Sequence, residues 1–337
     1  MKLNLNQIRG IVNGAARVEE ENGKIRLFRF TDEQEEMYKL HSKDYYIRSF
    51  CTAGIKLLFK TNSSNLTLKI TATPRYTRSY FSLDVFVNGK PYGYIDNFSD
   101  IDLPANYTEF KFGESVFEKS FKFADGEKTV CVHLPWSLEV SLDDVILDDG
   151  AFIEGIKPPK KLLAFGDSIT HGYDALRPSN RYIAKLADKL CAEEFNKAIG
   201  GELFYAPSAK LKDAFTPDYI TVAYGTNDWN CIDEESFKVR CRDFFLNLRS
   251  TYPDSKIFAI TPIWRKDMND YRKFGDFKKV EEDIINIVKD IENITVVSGF
   301  DFVPKDEKFY ADTRLHPNDE GFDHYFKNLY DKIKSEC

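Results

Sequence analysis

Lys161–Gly172 reads KLLAFGDSITHG, and this stretch decides the fold. Four consecutive apolar residues, Leu162 to Phe165, make a short strand without a polar face, as in a sheet covered on both sides. Gly166-Asp167-Ser168 then turns the chain where a hydroxyl and its own N–H can stand above the strand end. The same alternation continues downstream. Arg181 to Phe195 carries Ile183, Leu186 and Leu190 at helical spacing. Tyr219–Tyr224 (YITVAY) is a second strand, Ser236–Leu248 a helix, and Lys256–Ile260 (KIFAI) a third strand. Val280–Ile291 is helical again, with Ile284, Ile285, Ile287 and Val288 apolar, and Ile294–Val297 (ITVV) is a fourth strand. Strand, loop and helix in repeated succession predict an α/β fold with a doubly wound, mainly parallel sheet. Ligands in such sheets sit beyond the carboxyl ends of the strands.

Upstream the texture differs. Ile55–Lys60 (IKLLFK), Leu66–Ala72 (LTLKITA) and Phe81–Val87 (FSLDVFV) are short, alternating and rich in β-branched and aromatic residues. Asn88-Gly89 separates two such runs, and this dipeptide favours a tight hairpin because both central residues want positive φ. Further runs at Phe117–Phe123, Thr129–Leu134 and Leu138–Leu142 complete an antiparallel β-sandwich pattern, with Trp136 expected in its core. Two prolines and a charge cluster at Ile156–Lys161 place a linker near 150–160. The expected domains are therefore residues 1–155 and 156–337.

The 337 residues carry 54 acidic and 47 basic side chains, a net charge of −7, which gives neither nucleic acid nor anionic lipid a basic footprint. No window reaches 18 apolar residues, and Met1–Gly14 holds no apolar core of signal-peptide length, so we expect a cytoplasmic protein without membrane attachment. Six scattered cysteines without a CxxC pair fit reduced thiols. The five histidines form no HExxH pattern, and no metal site is expected.

The residues after each strand carry the chemistry. Ser168 can act as a nucleophile, although a lone serine in a turn is more simply a cap. Asn196–Gly201 (NKAIGG) offers backbone N–H groups unshielded by a Cβ, or merely a turn. Gly225-Thr226-Asn227-Asp228 places a side-chain amide where it can donate to a developing oxyanion. His316, in HPND before the last helix, suits general acid–base work near neutral pH.

These four segments, in this order on a doubly wound pattern, resemble the four blocks of the SGNH/GDSL hydrolase superfamily over roughly residues 160–335. The resemblance implies Ser168 as nucleophile and His316 as base. It implies an oxyanion hole from the Ser168 N–H, the Gly201 N–H and the Asn227 amide; Gly201 rather than Gly200 fits the usual five-residue step from Asn196. The family places an aspartate three residues before the histidine, but that position is Thr313 here, and Asp312 lies four before. Either Asp312 orients His316, the reading we adopt, or a backbone carbonyl does so in a Ser-His dyad. No metal or organic cofactor is implied, and turnover should fall as pH drops through the histidine range near 6.5.

A β-sandwich ahead of such a domain resembles the two-domain carbohydrate O-acetyl esterases, in which a jelly roll precedes the hydrolase; Cys51–Thr61 (CTAGIKLLFKT) looks like strands of such a domain. The resemblance thus implies an esterase acting on short acyl esters of small molecules or oligosaccharides. Trp229 and Trp264, at the expected sheet edge, are candidate sugar-stacking residues. The alternatives are a lipase or thioesterase, an acyltransferase, or an inactive carbohydrate-binding protein. His41, His133, His171 and His324 read as structural, and Asp167 and Asp228 as loop-bonding carboxyls. Nothing in the sequence speaks to oligomeric state.

Overall fold

A computed structural model describes residues 1–99 and 112–337. Two antiparallel sheets occupy the first half. One runs β1 (Val12–Asn13), β4 (Lys56–Thr61), β9 (Lys128–His133), β6 (Ser82–Val87), β7 (Lys90–Asp96), with β11 (Ile153–Gly155) also on β4. The other runs β2 (Arg17–Glu21), β3 (Lys24–Phe28), β10 (Leu138–Leu147), β5 (Asn65–Pro74), β8 (Ser115–Lys122). Alternation along the strands turns Leu66, Leu68 and Ile70 of β5 toward Leu57, Phe59, Val130 and Val132 of the opposite sheet, and these residues share one core. Asn88 and Gly89 join β6 to β7 with φ of 51° and 75°, both left-handed, as the dipeptide requires.

Among the described residues, three α-helices punctuate this half: α1 (Leu5–Ile11), α2 (Asp32–His41) and α3 (Lys43–Ser49). The strand-rich reading does not anticipate them, yet the signal is present. Asn4 with Gln7 and Thr31 with Gln34 each form a reciprocal capping box at a helix start. The expected linker is also partly structured, since Ile153–Gly155 pairs with Phe59–Thr61 before Pro158 and Pro159 end the run.

The second half is built on a parallel sheet of β12 (Lys160–Gly166), β13 (Ala192–Asn196), β14 (Tyr219–Ala223), β15 (Lys256–Ile260) and β16 (Ile294–Val297), in spatial order β13-β12-β14-β15-β16. Its helices are α4 (Ser168–His171), α5 (Tyr182–Lys189), α6 (Thr226–Cys231), α7 (Glu234–Thr251), α8 (Lys278–Val288) and α9 (Asp319–Ile333). Leu162 and Ala164 pack with Ile183 and Leu186 of α5 and Leu329 of α9 on one face. Leu163 and Phe165 pack with Phe244 of α7 and Ile284 of α8 on the other. This explains the unbroken apolar run of β12.

The structure corrects two readings. The helix expected from Arg181 to Phe195 stops at Lys189, and Ala192–Asn196 is a fifth, edge strand paired with β12. Its sequence, AEEFN, hides the strand because two of its five residues are carboxylates satisfied only in three dimensions. Glu194 takes Arg181 at 2.6 and 3.1 Å, and Glu193 accepts the Gly14 N–H at 2.8 Å. Trp136 lies in the cluster with Tyr173, Tyr182 and Ile183, outside the core shared by the antiparallel sheets, and its indole N–H donates to the Ala175 carbonyl at 2.9 Å. Because β13 adds to the far side of β12, the strand order reverses between β12 and β14, which opens a crevice above their carboxyl ends.

Candidate active site

Ser168 stands at that reversal. β12 ends at Gly166, where a Cβ would lie 2.4 Å from Thr170 Oγ1, so a side chain there would collide with the turn. Asp167 caps α4 by accepting the Ile169 N–H at 2.9 Å, which holds Ser168 at the first position of the helix. The Ser168 Oγ lies 2.8 Å from His316 Nε2.

His316 reaches this point from a tight loop ahead of α9. The Ala311 N–H donates to the His316 carbonyl at 2.9 Å and the Thr313 N–H to the Tyr310 carbonyl at 3.0 Å. Thr313 takes a left-handed φ of 58°, and the extra residue turns Asp312 back onto the ring. One Asp312 oxygen accepts the backbone N–H groups of Arg314, Leu315 and His316 at 3.0, 2.7 and 3.0 Å. The other lies 2.8 Å from His316 Nδ1. Burial pushes the Asp312 carboxyl up, but the His316 hydrogen bond and charge, with the N–H groups of Leu315 and His316, outweigh it and hold the acid well below its ordinary value. An ionised Asp312 fixes the proton on Nδ1 and leaves Nε2 free to accept from Ser168. The ring is also stacked on Tyr173, with centroids 5.6 Å apart.

The glycine segment leaves β13 beside this turn. The Lys197 N–H donates to the Ala164 carbonyl at 2.8 Å and the Ile199 N–H to the Gly166 carbonyl at 3.1 Å, so Gly200 and Gly201 run alongside the Ser168 turn. The Gly200 N–H is committed to His171 Nδ1 at 3.2 Å, which distinguishes it from Gly201. Asn227, in the first turn of α6, donates from Nδ2 to the Glu202 carbonyl at 3.2 Å and is thereby tied to the same segment.

A buried carboxyl adjoins each of these three positions in sequence: Asp167 beside Ser168, Glu202 beside Gly201, Asp228 beside Asn227. Burial raises them to about 6, 8 and 7 respectively. Asp228 accepts the Phe204 N–H at 3.1 Å, and Glu202 accepts the hydroxyls of Tyr38 and Tyr224, each at 2.8 Å. While neutral, these acids add no negative charge beside Ser168, Gly201 and Asn227. A carboxyl raised in this way contributes stability that is complete below its unfolded value and is lost as pH rises through its folded value. Glu202→Gln is therefore expected to leave Tm unchanged near pH 4 and to raise it above pH 8. A Tm difference constant across that range in thermal melts would contradict this.

Other sequence candidates fall elsewhere. Trp229 is 0% exposed, donates its indole N–H to the Gly275 carbonyl at 2.9 Å and packs against Phe277, so it offers no face to a sugar; the sequence reading is corrected there. Its position next to the Gly225–Asp228 motif does not reveal that the remote segment carrying Gly275 and Phe277 packs against the ring. Trp264 is half-buried against Tyr310, with ring centroids 5.3 Å apart. His171 points away from Ser168. Its Nδ1 accepts from Gly200 and its Nε2 faces the Trp136 carbonyl at 2.9 Å, and burial holds it far below the ordinary histidine value, hence neutral. It thus supports the glycine segment rather than competing as a base.

Two residues escape sequence reasoning. Arg29, between β3 and α2, is fully buried and donates to the carbonyls of Cys51, Arg48, Asn196 and Ala198, which joins the first half to the glycine segment. Asp174 brings a second carboxylate within 3.6 Å of His316 Nδ1. Among the described residues, Asp174, Asp312 and His316 are the group with spacing suited to a metal ion. Their donor atoms are engaged, however: Nδ1 with Asp312, and both Asp174 oxygens with Arg78 at 2.7 and 3.0 Å. The arrangement suits proton transfer better than metal ligation.

Comparison with known proteins follows the same lines. The sequence model of the GDSL-like lipase/acylhydrolase family matches residues 164–324. A search of curated proteins finds no match. Among solved structures, a salicylyl-acyltransferase from a tetracycline biosynthetic pathway shares 18% identity and superposes with a TM-score of 0.78, covering 96% of this chain and 94% of its own. A GDSL-like lipase from Bacteroides ovatus, described by similarity, shares 22% identity with a TM-score of 0.76, covering 99% and 97%. An acetyl xylan esterase from the rumen bacterium Butyrivibrio proteoclasticus shares 14% identity with a TM-score of 0.65, covering 100% and 98%. Likeness at these identities shows a shared fold. Among the described residues no helix is long and apolar enough to cross a membrane.

Proposed function

We propose, from the membership of residues 164–324 in the GDSL-like lipase/acylhydrolase family, which makes this chain an ester hydrolase, that it removes short acyl groups, acetyl foremost, from carbohydrates through an acyl-Ser168 intermediate. The observation that carries this reading is the continuous relay from Ser168 Oγ through both imidazole nitrogens to Asp312, with both contacts at 2.8 Å. His316 accepts the Ser168 proton at Nε2 as Oγ attacks the ester carbonyl. Asp312 balances the positive charge that then appears on the ring. The Ser168 and Gly201 N–H groups and the Asn227 amide receive the tetrahedral oxyanion. His316 returns the proton to the leaving alkoxide, and water, activated by the same nitrogen, releases the acid.

The carbohydrate preference draws on the fold shared with an acetyl xylan esterase and on the antiparallel sheets ahead of the catalytic residues. In this reading residues 1–155 are a jelly-roll-like domain, residues 156–337 the catalytic domain, and the protein is cytoplasmic. Half-buried Trp264 is the aromatic left to meet a sugar ring. Acetate release from a panel of acetylated xylo-, manno- and gluco-oligosaccharides, with Ser168→Ala as control, tests the substrate class. Release no greater than the control on every sugar ends the carbohydrate reading. The fold shared with an acyltransferase favours one further arm: transfer of the acyl group to an added alcohol in preference to water would make the protein a transferase. Asn227→Ala is expected to lower kcat by about 10²–10³-fold with little change in KM, the cost of one oxyanion donor. Steady-state kinetics reads this directly, and an unchanged kcat removes Asn227 from the role.

A further inference from the structure

Asp174 belongs to the segment that follows Ser168, and its carboxylate comes within 3.6 Å of His316 Nδ1, only 0.8 Å farther than Asp312 at 2.8 Å. A buried carboxylate is costly unless paired. Here the partner comes from the other half of the chain: Arg78, between β5 and β6, grips both oxygens at 2.7 and 3.0 Å, and the Tyr80 hydroxyl donates to one of them at 3.2 Å. The Arg78 guanidinium also lies over the Tyr173 ring at 5.4 Å, and that ring stacks on the His316 imidazole. Arg78 thus contacts both Asp174 and Tyr173, two groups that lie against the histidine ring.

We propose that Asp174, held by Arg78, is a second positioning carboxylate for His316, so that the first half of the chain supplies part of the support for the catalytic histidine. The inference rests on the role of His316 given above. Two carboxylates then face one N–H. Asp312 holds it in the resting enzyme, and Asp174 adds negative charge beside the ring when the Ser168 proton reaches Nε2. A ring displacement of under about 1 Å brings Nδ1 within hydrogen-bond reach of Asp174, so loss of Asp312 leaves an acceptor in place. The charged and titratable groups that surround the imidazole are Asp312 on its own loop, Asp174 and Tyr173 after α4, Arg78 behind Asp174, Ser168 on α4, and Asp167, which senses the charge of both His316 and Arg265.

A double-mutant cycle tests the proposal. Hydrolysis of p-nitrophenyl acetate is followed across pH for the wild type, Asp174→Asn, Asp312→Asn and the double variant. Asp312→Asn alone is expected to cost about 10²–10³-fold, short of the roughly 10⁴-fold loss for an unsupported histidine. Asp174→Asn alone is expected to cost under about ten-fold and to move the acid limb of kcat/KM to lower pH, because a negative charge beside the imidazolium is gone. In the Asp312→Asn background the same substitution should cost at least ten times more than in the wild type. Equal cost in both backgrounds, or an unmoved acid limb, overturns the proposal. If Asp174→Asn does not fold, Arg78→Lys, which keeps the charge but loses the two-pronged grip, is read by the same comparison. NMR titration of His316 in the Ser168→Ala protein, with and without Asp174→Asn, requires no turnover. A lower His316 midpoint upon Asp174→Asn is expected, and an unchanged one overturns the proposal even if the esterase reading has failed on its own test.

Discussion

Ser168→Ala is expected to lower kcat/KM for a small acetyl ester by about 10⁴–10⁶-fold, since removal of a serine nucleophile alone forfeits nearly everything the relay contributes. The physical reason is that, among the described residues, Ser168 Oγ is the hydroxyl hydrogen-bonded to His316 Nε2 and so the one the His316–Asp312 pair can activate. What survives is the stabilisation of the oxyanion by N–H and amide donors, which retains a residual rate over water. The fold should be unaffected, because among the described residues the hydroxyl bonds to His316 alone, while the backbone of Ser168 keeps its bonds to Gly172 and Tyr173. Rates and thermal melts of purified wild type and variant decide the matter. Turnover within ten-fold of wild type at an unchanged Tm would show that the acyl group never resides on Ser168. Mass spectrometry after treatment with a serine-directed phosphonate offers an independent reading, with the adduct expected on Ser168 and absent from the variant.

The second large effect falls on stability and starts far from the reacting atoms. Arg29→Met is expected to destabilise the protein by about 3–5 kcal/mol, the scale on which a buried charged partner is missed. The Arg29 donors reach the carbonyls of Cys51 at 2.6 Å, Ala198 at 2.8 Å, Asn196 at 2.9 Å and Arg48 at 3.1 Å. Methionine fills much of the space but satisfies none of these acceptors at a position only 1% exposed. Burial pulls the guanidinium down to about 10, against the opposing pull of Cys51 and Tyr38, so it remains charged at neutral pH. Because Asn196 and Ala198 lead directly into Gly201, kcat should fall together with stability. At about 2–4 °C per kcal/mol for a chain of this order of size, the Tm should drop by roughly 10 °C. Denaturant titration giving a loss under about 1 kcal/mol would mean that the four carbonyls find other partners.

The individual motifs were readable because local rules govern them. Gly166 is required where Thr170 crowds the turn, and Asp167 caps the helix that presents Ser168. Asn88-Gly89 adopts the two left-handed residues its hairpin needs. The apolar run Leu162–Phe165 announces a strand covered on both faces. In the same way Asp312, four residues before His316 rather than three, is reconciled with its ring contact by one local feature, the left-handed Thr313.

What the sequence by itself determined, then, is the parallel α/β half and the antiparallel character of the first half, since each follows from periodicity within a few neighbouring residues; the four site segments were legible through their resemblance to a known family. Only the tertiary structure decided that AEEFN is a strand, that Trp229 is buried against the segment of Gly275 and Phe277, that Arg29 ties the first half to the glycine segment, and that Arg78 and Asp174 pair beside His316. The charged side chains among them meet partners remote in sequence: Arg78 and Asp174 are 96 residues apart, and Arg29 and Ala198 are 169. A charged side chain in isolation is read as solvated, and whether it is instead desolvated and paired is settled by the partner that folding brings to it.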